Sequence, residues 1–299
     1  MKDSFLNDEF FSRLETLSLN LKSNLAGYFG GKHLVSTYGQ TVEFADFREY
    51  QLGDDIRRID WNLYSRFEKF FLKLFTDERQ MQVQIFLDCS ASMGKDNQEK
   101  ANYAVATAAA LGFLAVQDMD KLTFNLMRGK KAENPFGMLI GKNAFFRAMG
   151  DLGKVEFEGD VDIESCVKSC TDTSSRNGLT VIISDFFTES DWKKAVDYLC
   201  YKKRQVLLVQ IMTPDEIDPA YDGRFSLIDS ESVDLADSRN MKLRITRSML
   251  LAYAEALRDF KLDMKTFCSK RGVDYISIST GEPIERVLFN ELLKAGIME

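Results

Sequence analysis

From residue 82 onward, the chain alternates between short apolar runs and longer segments in which apolar residues recur every three or four positions. Continuous apolar runs are typical of strands buried on both faces of a sheet, and the longer period is typical of helices. Strands that alternate with helices predict a doubly wound α/β fold, in which a mostly parallel sheet carries helices on both faces. The predicted strands are Val83–Asp88, Lys121–Met127, Gly178–Phe186, Gln205–Met212 and Val273–Ser279.

The helical period marks the segments that connect and follow these strands. Apolar residues on one stripe of each segment predict helices that cover the sheet. The predicted helices span about residues 98–118, 143–152, 163–170, 192–199 and 248–271, and a last helix runs through Leu292.

The first 79 residues follow a different pattern. Phe10, Leu14 and Leu21 share one face of an amphipathic helix, and residues 27–79 then combine aromatic with charged side chains, with strand-like alternation in FEKFFLKLF. A solvated linker rarely contains so many aromatic residues. We therefore divide the chain into a small aromatic-rich N-terminal region, residues 1–79, packed on a main α/β domain, residues 80–299.

The composition narrows the classes of function. The 299 residues include 39 basic and 46 acidic side chains, and this net charge of −7 disfavours a nucleic-acid binder. The single histidine, His33, excludes sites built on several imidazoles, and we interpret it as a surface or packing residue. The longest apolar stretch, Ala104–Val116, is too short to span a membrane, and the N-terminus lacks the apolar core of a signal peptide. A soluble, cytoplasmic protein is expected.

Polar residues suited to a metal ion follow two of the predicted strands. Asp88, Ser90 and Ser92 come at steps of two after the first strand, and Asp185 lies at the end of the run Gly178–Phe186. Because ligands of such sheets bind at the carboxyl ends of the strands, these side chains are expected to lie together. Two carboxylates and two hydroxyls suit Mg²⁺ or Mn²⁺ and leave positive charge for an anionic group of a partner. The alternative is that the serines only cap the next helix.

Two strings in the sequence resemble known families. DCSAS after a buried strand, followed by a long helix and ISDF, resembles the von Willebrand factor A fold and its metal-ion-dependent adhesion site. EFADFREYQLGDDIRRIDWN, Glu43–Asn62, resembles the signature of the bacterial family called domain of unknown function 58. The resemblance implies that Asp88, Ser90, Ser92 and Asp185 are metal ligands. It also implies a non-enzymatic adaptor or co-chaperone whose partner is a MoxR-type AAA+ ATPase.

One ligand implied by the resemblance is missing. Where a threonine is expected, the stretch EGDVDIESC has Val161, which cannot coordinate a cation, between Asp160 and Asp162. Either one of these carboxylates replaces the threonine, or the metal binds weakly or not at all. One alternative function is therefore a structural A-type domain with a degenerate metal site. Another is a Mg²⁺-dependent phosphoryl-transfer enzyme with Asp88 as nucleophile, although Ser90 stands where an Asp-x-Asp phosphatase has its second aspartate.

The charged part of the signature also has two interpretations. Asp54, Arg57, Arg58 and Asp60 alternate with isoleucines and lead directly to Trp61. Such a mixture is typical of ion pairs at an interface, so these residues are expected to clamp the N-terminal region onto the main domain. The alternative is a surface that binds the partner.

Overall fold

A central sheet and two hairpins contain the strands of the structure, which is a computed structural model. It describes residues 6, 9–15, 42–51, 54, 56–77, 81–94, 97–117, 119–170, 178–188, 190–219, 223–227, 241–284, 287 and 290. The strands are β1 (Val42–Glu49), β2 (Phe71–Asp77), β3 (Gln82–Asp88), β4 (Lys121–Arg128), β5 (Lys131–Glu133), β6 (Leu139–Ile140), β7 (Gly178–Ser184), β8 (Gln205–Met212), β9 (Gly223–Leu227), β10 (Met241–Ile245) and β11 (Asp274–Ser279). The helices are α1 (residues 9–15), α2 (Trp61–Phe67), α3 (Ala91–Gly94), α4 (Gln98–Gln117), α5 (Gly141–Leu152), α6 (Ile163–Ser169), α7 (Trp192–Tyr201), α8 (Pro214–Ile217) and α9 (Arg247–Ser269), with a 3₁₀ helix at Ile56–Arg58.

The central sheet has seven strands in the order β11-β8-β7-β3-β4-β5, with β6 also paired to β4. β11, β8, β7, β3 and β4 are parallel, whereas β5 and β6 run antiparallel to β4. The chain moves from β3 to β4 on one side, and from β7 to β8 and β11 on the other. The strand order therefore reverses between β3 and β7. This confirms the doubly wound, mostly parallel fold, and the reversal opens a crevice at the carboxyl ends of these two strands.

Helices cover both faces of the sheet, as the continuous apolar strands predict. Side chains of α1, α4 and α5 pack on one face, and those of α6, α7 and α9 pack on the other. The helix α4 approaches β4 closely because Gly112 has no side chain. A Cβ added there would lie 2.7 Å from Cζ of Phe124. Both faces of the sheet are thus covered, and buried polar side chains such as Asp88 and Asp185 lie at its carboxyl edge.

The first described helix, α1, packs on α4 and α5. The ring of Phe11 lies 5.4 Å from that of Phe113 and 5.7 Å from that of Phe145. The sequence predicts that this helix continues to Leu21, but Leu17 and Leu21 lie outside the described residues. The division of the chain at residue 79 stays a prediction.

Two antiparallel hairpins accompany the sheet. β1 pairs with β2, and the 3₁₀ helix and α2 lie between them in the chain. The strand predicted in FEKFFLKLF is β2, which begins only at Phe71 because Phe67 ends α2. β9 pairs with β10 in a hairpin that lies outside the predicted alternation of strands and helices. Near the C-terminus Ile284 and Val287 are helical, and Leu292 lies outside the described residues.

Candidate functional site

Asp88 lies at the carboxyl end of β3, where the strand order reverses. Its side chain is buried, and its oxygens accept two hydrogen bonds, Oδ1 from the N–H of Ser90 (2.9 Å) and Oδ2 from the hydroxyl of Ser184 (2.6 Å). The hydroxyl of Ser184 accepts in turn from the N–H of Phe186 (2.9 Å). Because Ser184 ends β7, these bonds join the two strands that border the crevice and hold the carboxylate in one orientation.

Ser90 and Ser92 place two hydroxyls beside Asp88. The short helix α3 begins directly after Ser90, and its turn brings the two serine hydroxyl oxygens to 3.1 Å from each other. The N–H of Met93 donates to the carbonyl of Ser90 (3.2 Å). The hydroxyl pair is therefore positioned by the helical turn and faces the same edge of the sheet as Asp88.

Asp185 follows β7 in a sharp bend. The next residue, Phe186, has a φ of 61°, a left-handed conformation that is uncommon for a bulky side chain. The N–H of Phe187 donates to Oδ1 of Asp185 (2.9 Å), and the amide of Gln210 donates to the Asp185 carbonyl (3.0 Å). Asp185 is almost fully buried. The strained bend and these bonds fix its carboxylate next to the crevice.

Lys100 and Glu216, which are not among the predicted site residues, lie next to Asp185 and Ser92. The ammonium of Lys100, in the first turn of α4, lies 2.9 Å from Oδ2 of Asp185 and 2.7 Å from Oε1 of Glu216. It also donates to the carbonyl of Ser92 (3.3 Å). The side chain of Lys100 is 1% exposed, whereas that of Glu216 is 32% exposed. The other carboxylate oxygen of Glu216 accepts from the N–H of Thr213 (2.8 Å), so that α8 holds it at the end of β8.

The sequence does contain a signal for both residues. Lys100 lies four positions before Ala104 and in phase with Leu111, and both of these residues are buried on α4. A lysine on the buried face of a helix requires charged or polar partners, because burying an unpaired ammonium is costly. The string Thr213–Glu216 has the spacing of a capping box and starts a helix directly after β8. Its glutamate therefore lies at the same edge of the sheet.

The charges of this cluster are unbalanced. Asp88, Asp185 and Glu216 are three acids, and Lys100 supplies one positive charge. Burial and the neighbouring Asp185 carboxylate raise the pKa of Asp88 to about 6. Burial opposes the charged form of Lys100, but the two carboxylates it contacts outweigh burial and raise its pKa. An excess of negative charge in a buried site favours a further cation.

The loop that precedes α6 lies against the serines. Backbone hydrogen bonds of 2.8 and 2.9 Å join this loop to the chain on either side of Ser90. Val161 is buried in an apolar cluster. Asp162 caps α6 by accepting from the N–H (3.0 Å) and the hydroxyl (2.7 Å) of Ser165. Burial raises the pKa of Asp162, but the hydrogen bonds from Ser165 outweigh burial, so the pKa is lowered. Asp160 is exposed. A carboxylate in place of the missing threonine stays a prediction, for which Asp160 has the less engaged side chain.

Two acidic residues of the signature, Asp54 and Asp60, are engaged within the β1–β2 hairpin. Oδ1 of Asp54 accepts from Arg48 (2.8 Å), and its Oδ2 accepts from the N–H of Gln51 (2.8 Å). These two contacts, first that of Gln51 and then that of Arg48, lower the pKa of Asp54. Asp60 is buried and caps α2 by accepting from the N–H of Asn62 (2.8 Å). Both carboxylates thus stabilise the hairpin itself.

The signature also contains Arg57, Arg58 and Trp61, which flank Asp60 in the chain. Arg57 and Arg58 form part of the 3₁₀ helix, and Arg57 is exposed. Trp61 is 62% exposed, and its ring makes edge contacts with those of Tyr64 (6.1 Å) and Phe70 (6.4 Å). The clamp and the partner-binding surface both stay predictions.

The donor set of the Asp88 site fits a hard divalent cation. Two neighbouring ligands of Mg²⁺, each about 2.1 Å from the ion in octahedral geometry, lie about 3 Å apart. The hydroxyl oxygens of Ser90 and Ser92, which share a hydrogen bond, are 3.1 Å apart, close to this spacing. Within the described ranges, no three His, Cys, Asp or Glu side chains form a group that could hold a metal ion, so a site here needs these hydroxyls. His33 lies outside the described residues. Among the described helices, none has the length and apolarity that a membrane crossing requires.

The fold is a doubly wound α/β sheet, an architecture in which ligands generally bind where the strand order reverses. The family described as "Protein of unknown function DUF58" matches residues 46–258, and the chain belongs to this family, as its signature predicts. Over 224 residues the chain is 28% identical to the uncharacterized protein Rv1480 of Mycobacterium tuberculosis. The same identity is found with Mb1516 of Mycobacterium bovis, and either match covers 73% of this chain and 70% of the relative.

The solved structures that match part of this chain include one described as a von Willebrand factor type A protein. The conserved hypothetical protein BatB from Bacteroides thetaiotaomicron is 14% identical with a TM-score of 0.42, over 72% of this chain and 98% of BatB. A von Willebrand factor type A protein from Catenulispora acidiphila is 14% identical with a TM-score of 0.33, over 46% of this chain and 34% of that protein. The manganese-loaded TRAP protein of Plasmodium vivax is 14% identical with a TM-score of 0.36, over 44% and 57% of the two chains. The family assignment rests on the match over residues 46–258.

Proposed function

We propose that this chain is a non-enzymatic protein-interaction module, which binds an acidic group of a partner protein at the carboxyl edge of its sheet. The observation that carries this proposal is the convergence of two strand ends. β3 and β7 bring Asp88 and Asp185 together with the paired hydroxyls of Ser90 and Ser92 at the point where ligands of doubly wound folds bind.

A divalent cation would be held at this edge by the two aspartates and the two serines. When bound, Mg²⁺ or Mn²⁺ would supply the positive charge that attracts a carboxylate of the partner. The raised pKa of Asp88, which burial and the charge of Asp185 cause, supports a site with room for more positive charge. Neutral hydroxyl ligands and the missing threonine at Val161 support weak rather than tight binding.

The class of partner that we propose is a MoxR-type AAA+ ATPase. The support for it is the resemblance to the family, which implies a role as an adaptor or co-chaperone. Binding of a purified ATPase of this type to the wild-type chain, measured by titration calorimetry with Mn²⁺ present, tests both the partner and the site. We expect EDTA to weaken binding at least about tenfold, because the charged contact with the partner carboxylate is lost.

Matched variants test the role of the site itself. Asp88→Asn keeps an oxygen for the N–H of Ser90 and should weaken partner binding about as much as EDTA does. Asp151→Asn removes an aspartate that is 70% exposed on α5 and should leave binding unchanged. Binding that survives both EDTA and Asp88→Asn would contradict the proposal and would move the interface to the signature, where Trp61→Ala is the next variant.

The enzymatic alternative has less support. A nucleophile must reach the phosphorus atom, whereas Asp88 is 2% exposed and both of its oxygens accept hydrogen bonds. We expect no turnover of a generic phosphate ester in Mg²⁺. Turnover that Asp88→Asn abolishes would favour the enzyme instead.

A further inference from the structure

Lys100 occupies a position where a lysine is unfavourable. It is the third residue of α4, where the partial positive charge of the helix N-terminus disfavours a cation. Its side chain is 1% exposed, so the ammonium has also lost nearly all of its contact with water. Three oxygens compensate for this, from Asp185, Glu216 and the carbonyl of Ser92. These oxygens form a pocket that selects a cation.

This pocket overlaps the proposed metal site. Asp185 belongs to both. Its Oδ2 lies 2.9 Å from the ammonium of Lys100, and the residue is one of the proposed metal ligands at the carboxyl edge of the sheet. Ser92 also belongs to both, because its carbonyl faces Lys100 and its hydroxyl faces that of Ser90. A divalent ion and an ammonium at one carboxylate oxygen would repel each other strongly in a site that excludes water.

We propose that the ammonium of Lys100 and a divalent cation are alternative occupants of the oxygen site at Asp185. The inference rests on the site assigned under the proposed function and concerns its regulation. Metal binds when Lys100 leaves Asp185, and without metal the ammonium stays between Asp185 and Glu216 and offsets part of their negative charge. The chain thereby contains its own competitor for the cation.

The structure offers the displaced ammonium a second partner. Glu216 is 32% exposed, whereas the side chain of Asp185 is 3% exposed, so the lysine spans from the interior to the surface. Glu216 is anchored independently, because its Oε2 accepts from the N–H of Thr213. The four-carbon stem of Lys100 is flexible enough to move outward while the ammonium keeps Glu216.

Mn²⁺ titration of a lysine variant tests the competition. Lys100→Met removes the ammonium and keeps the apolar stem. Without the repulsion between the two cations, it should bind Mn²⁺ at least about tenfold more tightly than the wild type, by calorimetry and by the EPR signal of free Mn²⁺. Lys154→Met, a matched change at a lysine that is 75% exposed, should leave the affinity unchanged. Adding Asp185→Asn to Lys100→Met should abolish the gain, which places the gained binding at this site.

A second variant covers the case in which Lys100→Met does not fold. Lys100→Gln keeps an N–H donor for Asp185 without the charge and should show the same direction of change. A folded Lys100→Met or Lys100→Gln variant whose Mn²⁺ affinity equals or falls below that of the wild type would overturn the inference.

The same experiments separate this inference from the proposed function. If the lysine variants gain Mn²⁺ affinity while Asp88→Asn leaves partner binding intact, the competition stands and the proposed function fails. If partner binding depends on Asp88 but the lysine variants gain nothing, the proposed function stands and the competition fails.

Discussion

Two buried cations lie at opposite edges of the same sheet. Lys100 lies at the carboxyl edge, where its ammonium contacts the side-chain carboxylates of Asp185 and Glu216. Arg204 lies at the amino edge and is 5% exposed. Its guanidinium donates to the backbone carbonyls of Gln82 and Leu179, at the starts of β3 and β7, both at 2.9 Å. Arg204 also donates to the hydroxyl of Thr180 (2.6 Å), and Lys100 also donates to the carbonyl of Ser92 (3.3 Å). In these hydrogen bonds, only Lys100 contacts carboxylates.

The difference explains why one edge suits a ligand and the other does not. Carbonyls of the strands cannot turn toward another cation without disturbing the sheet, so the contacts of Arg204 are part of the fold. Even a methyl group at Gly178 would meet the guanidinium, with an added Cβ 2.7 Å from Nη1 of Arg204. Carboxylate side chains can exchange one cation for another, so the charge at Lys100 is replaceable.

The largest expected effect is at the amino edge. Arg204→Met leaves buried carbonyls without their donor, and we expect the free energy of unfolding to fall by about 4 kcal/mol. Denaturant unfolding measures this, with Arg258→Met, at a side chain that is 75% exposed, as the control. Added Mn²⁺ should restore nothing. If Mn²⁺ restored the free energy of unfolding of Arg204→Met, the cation at the amino edge would be as replaceable as the one at the carboxyl edge.

Removal of the carboxyl-edge cation should cost less, and the loss should be reversible. Lys100→Met leaves Asp185 without its ammonium, and in EDTA we expect a loss of about 3 kcal/mol in the free energy of unfolding. Millimolar Mn²⁺ should return most of that loss, because ligand binding to the folded state stabilises it. Unfolding curves that are identical with EDTA and with Mn²⁺ would contradict the exchange of cations.

The pH dependence of stability should differ between the wild type and Asp88→Asn. The folded-state pKa of Asp88 is raised from 3.8 to about 6, so the folded protein binds this proton more tightly than the unfolded chain. Stability from this group is therefore complete below the unfolded pKa and is lost as the pH rises through about 6. In EDTA, Asp88→Asn should gain about 2 kcal/mol relative to the wild type between about pH 4 and 7. If the difference in free energy of unfolding between the two proteins did not change with pH across this range, the pKa of Asp88 would not be raised in the folded protein.

The smallest expected effect concerns the outer carboxylate. Glu216→Gln keeps an oxygen for the N–H of Thr213 but weakens the contact with Lys100, and we expect a loss of about 1 kcal/mol in the free energy of unfolding. The matched change Glu164→Gln affects a surface pair with Lys168 on α6 and should have less effect. A loss as large as that of Lys100→Met would make Glu216, rather than Asp185, the main partner of the lysine.

The sequence predicts one half of the candidate site and misses the other. Apolar runs identify β3 and β7, and the topology of parallel sheets then places Asp88 and Asp185 at one edge without any knowledge of contacts. Lys100 and Glu216 meet across 116 residues, and Lys100 and Asp185 across 85. Such a pairing depends on how far α4 tilts and on the position of β8 in the sheet, neither of which follows from local periodicity.

The two tryptophans of the chain give the β1–β2 hairpin and the central sheet separate fluorescence signals. Trp61 is 62% exposed on α2, whereas Trp192 is 6% exposed on α7 and packs 5.8 Å from the ring of Phe186, the residue after Asp185. Trp61 should therefore emit at longer wavelength and be quenched by iodide, while Trp192 should emit at shorter wavelength and resist quenching. Fluorescence of a Trp61→Phe variant would then report rearrangement beside Asp185 from a single buried indole, without a label.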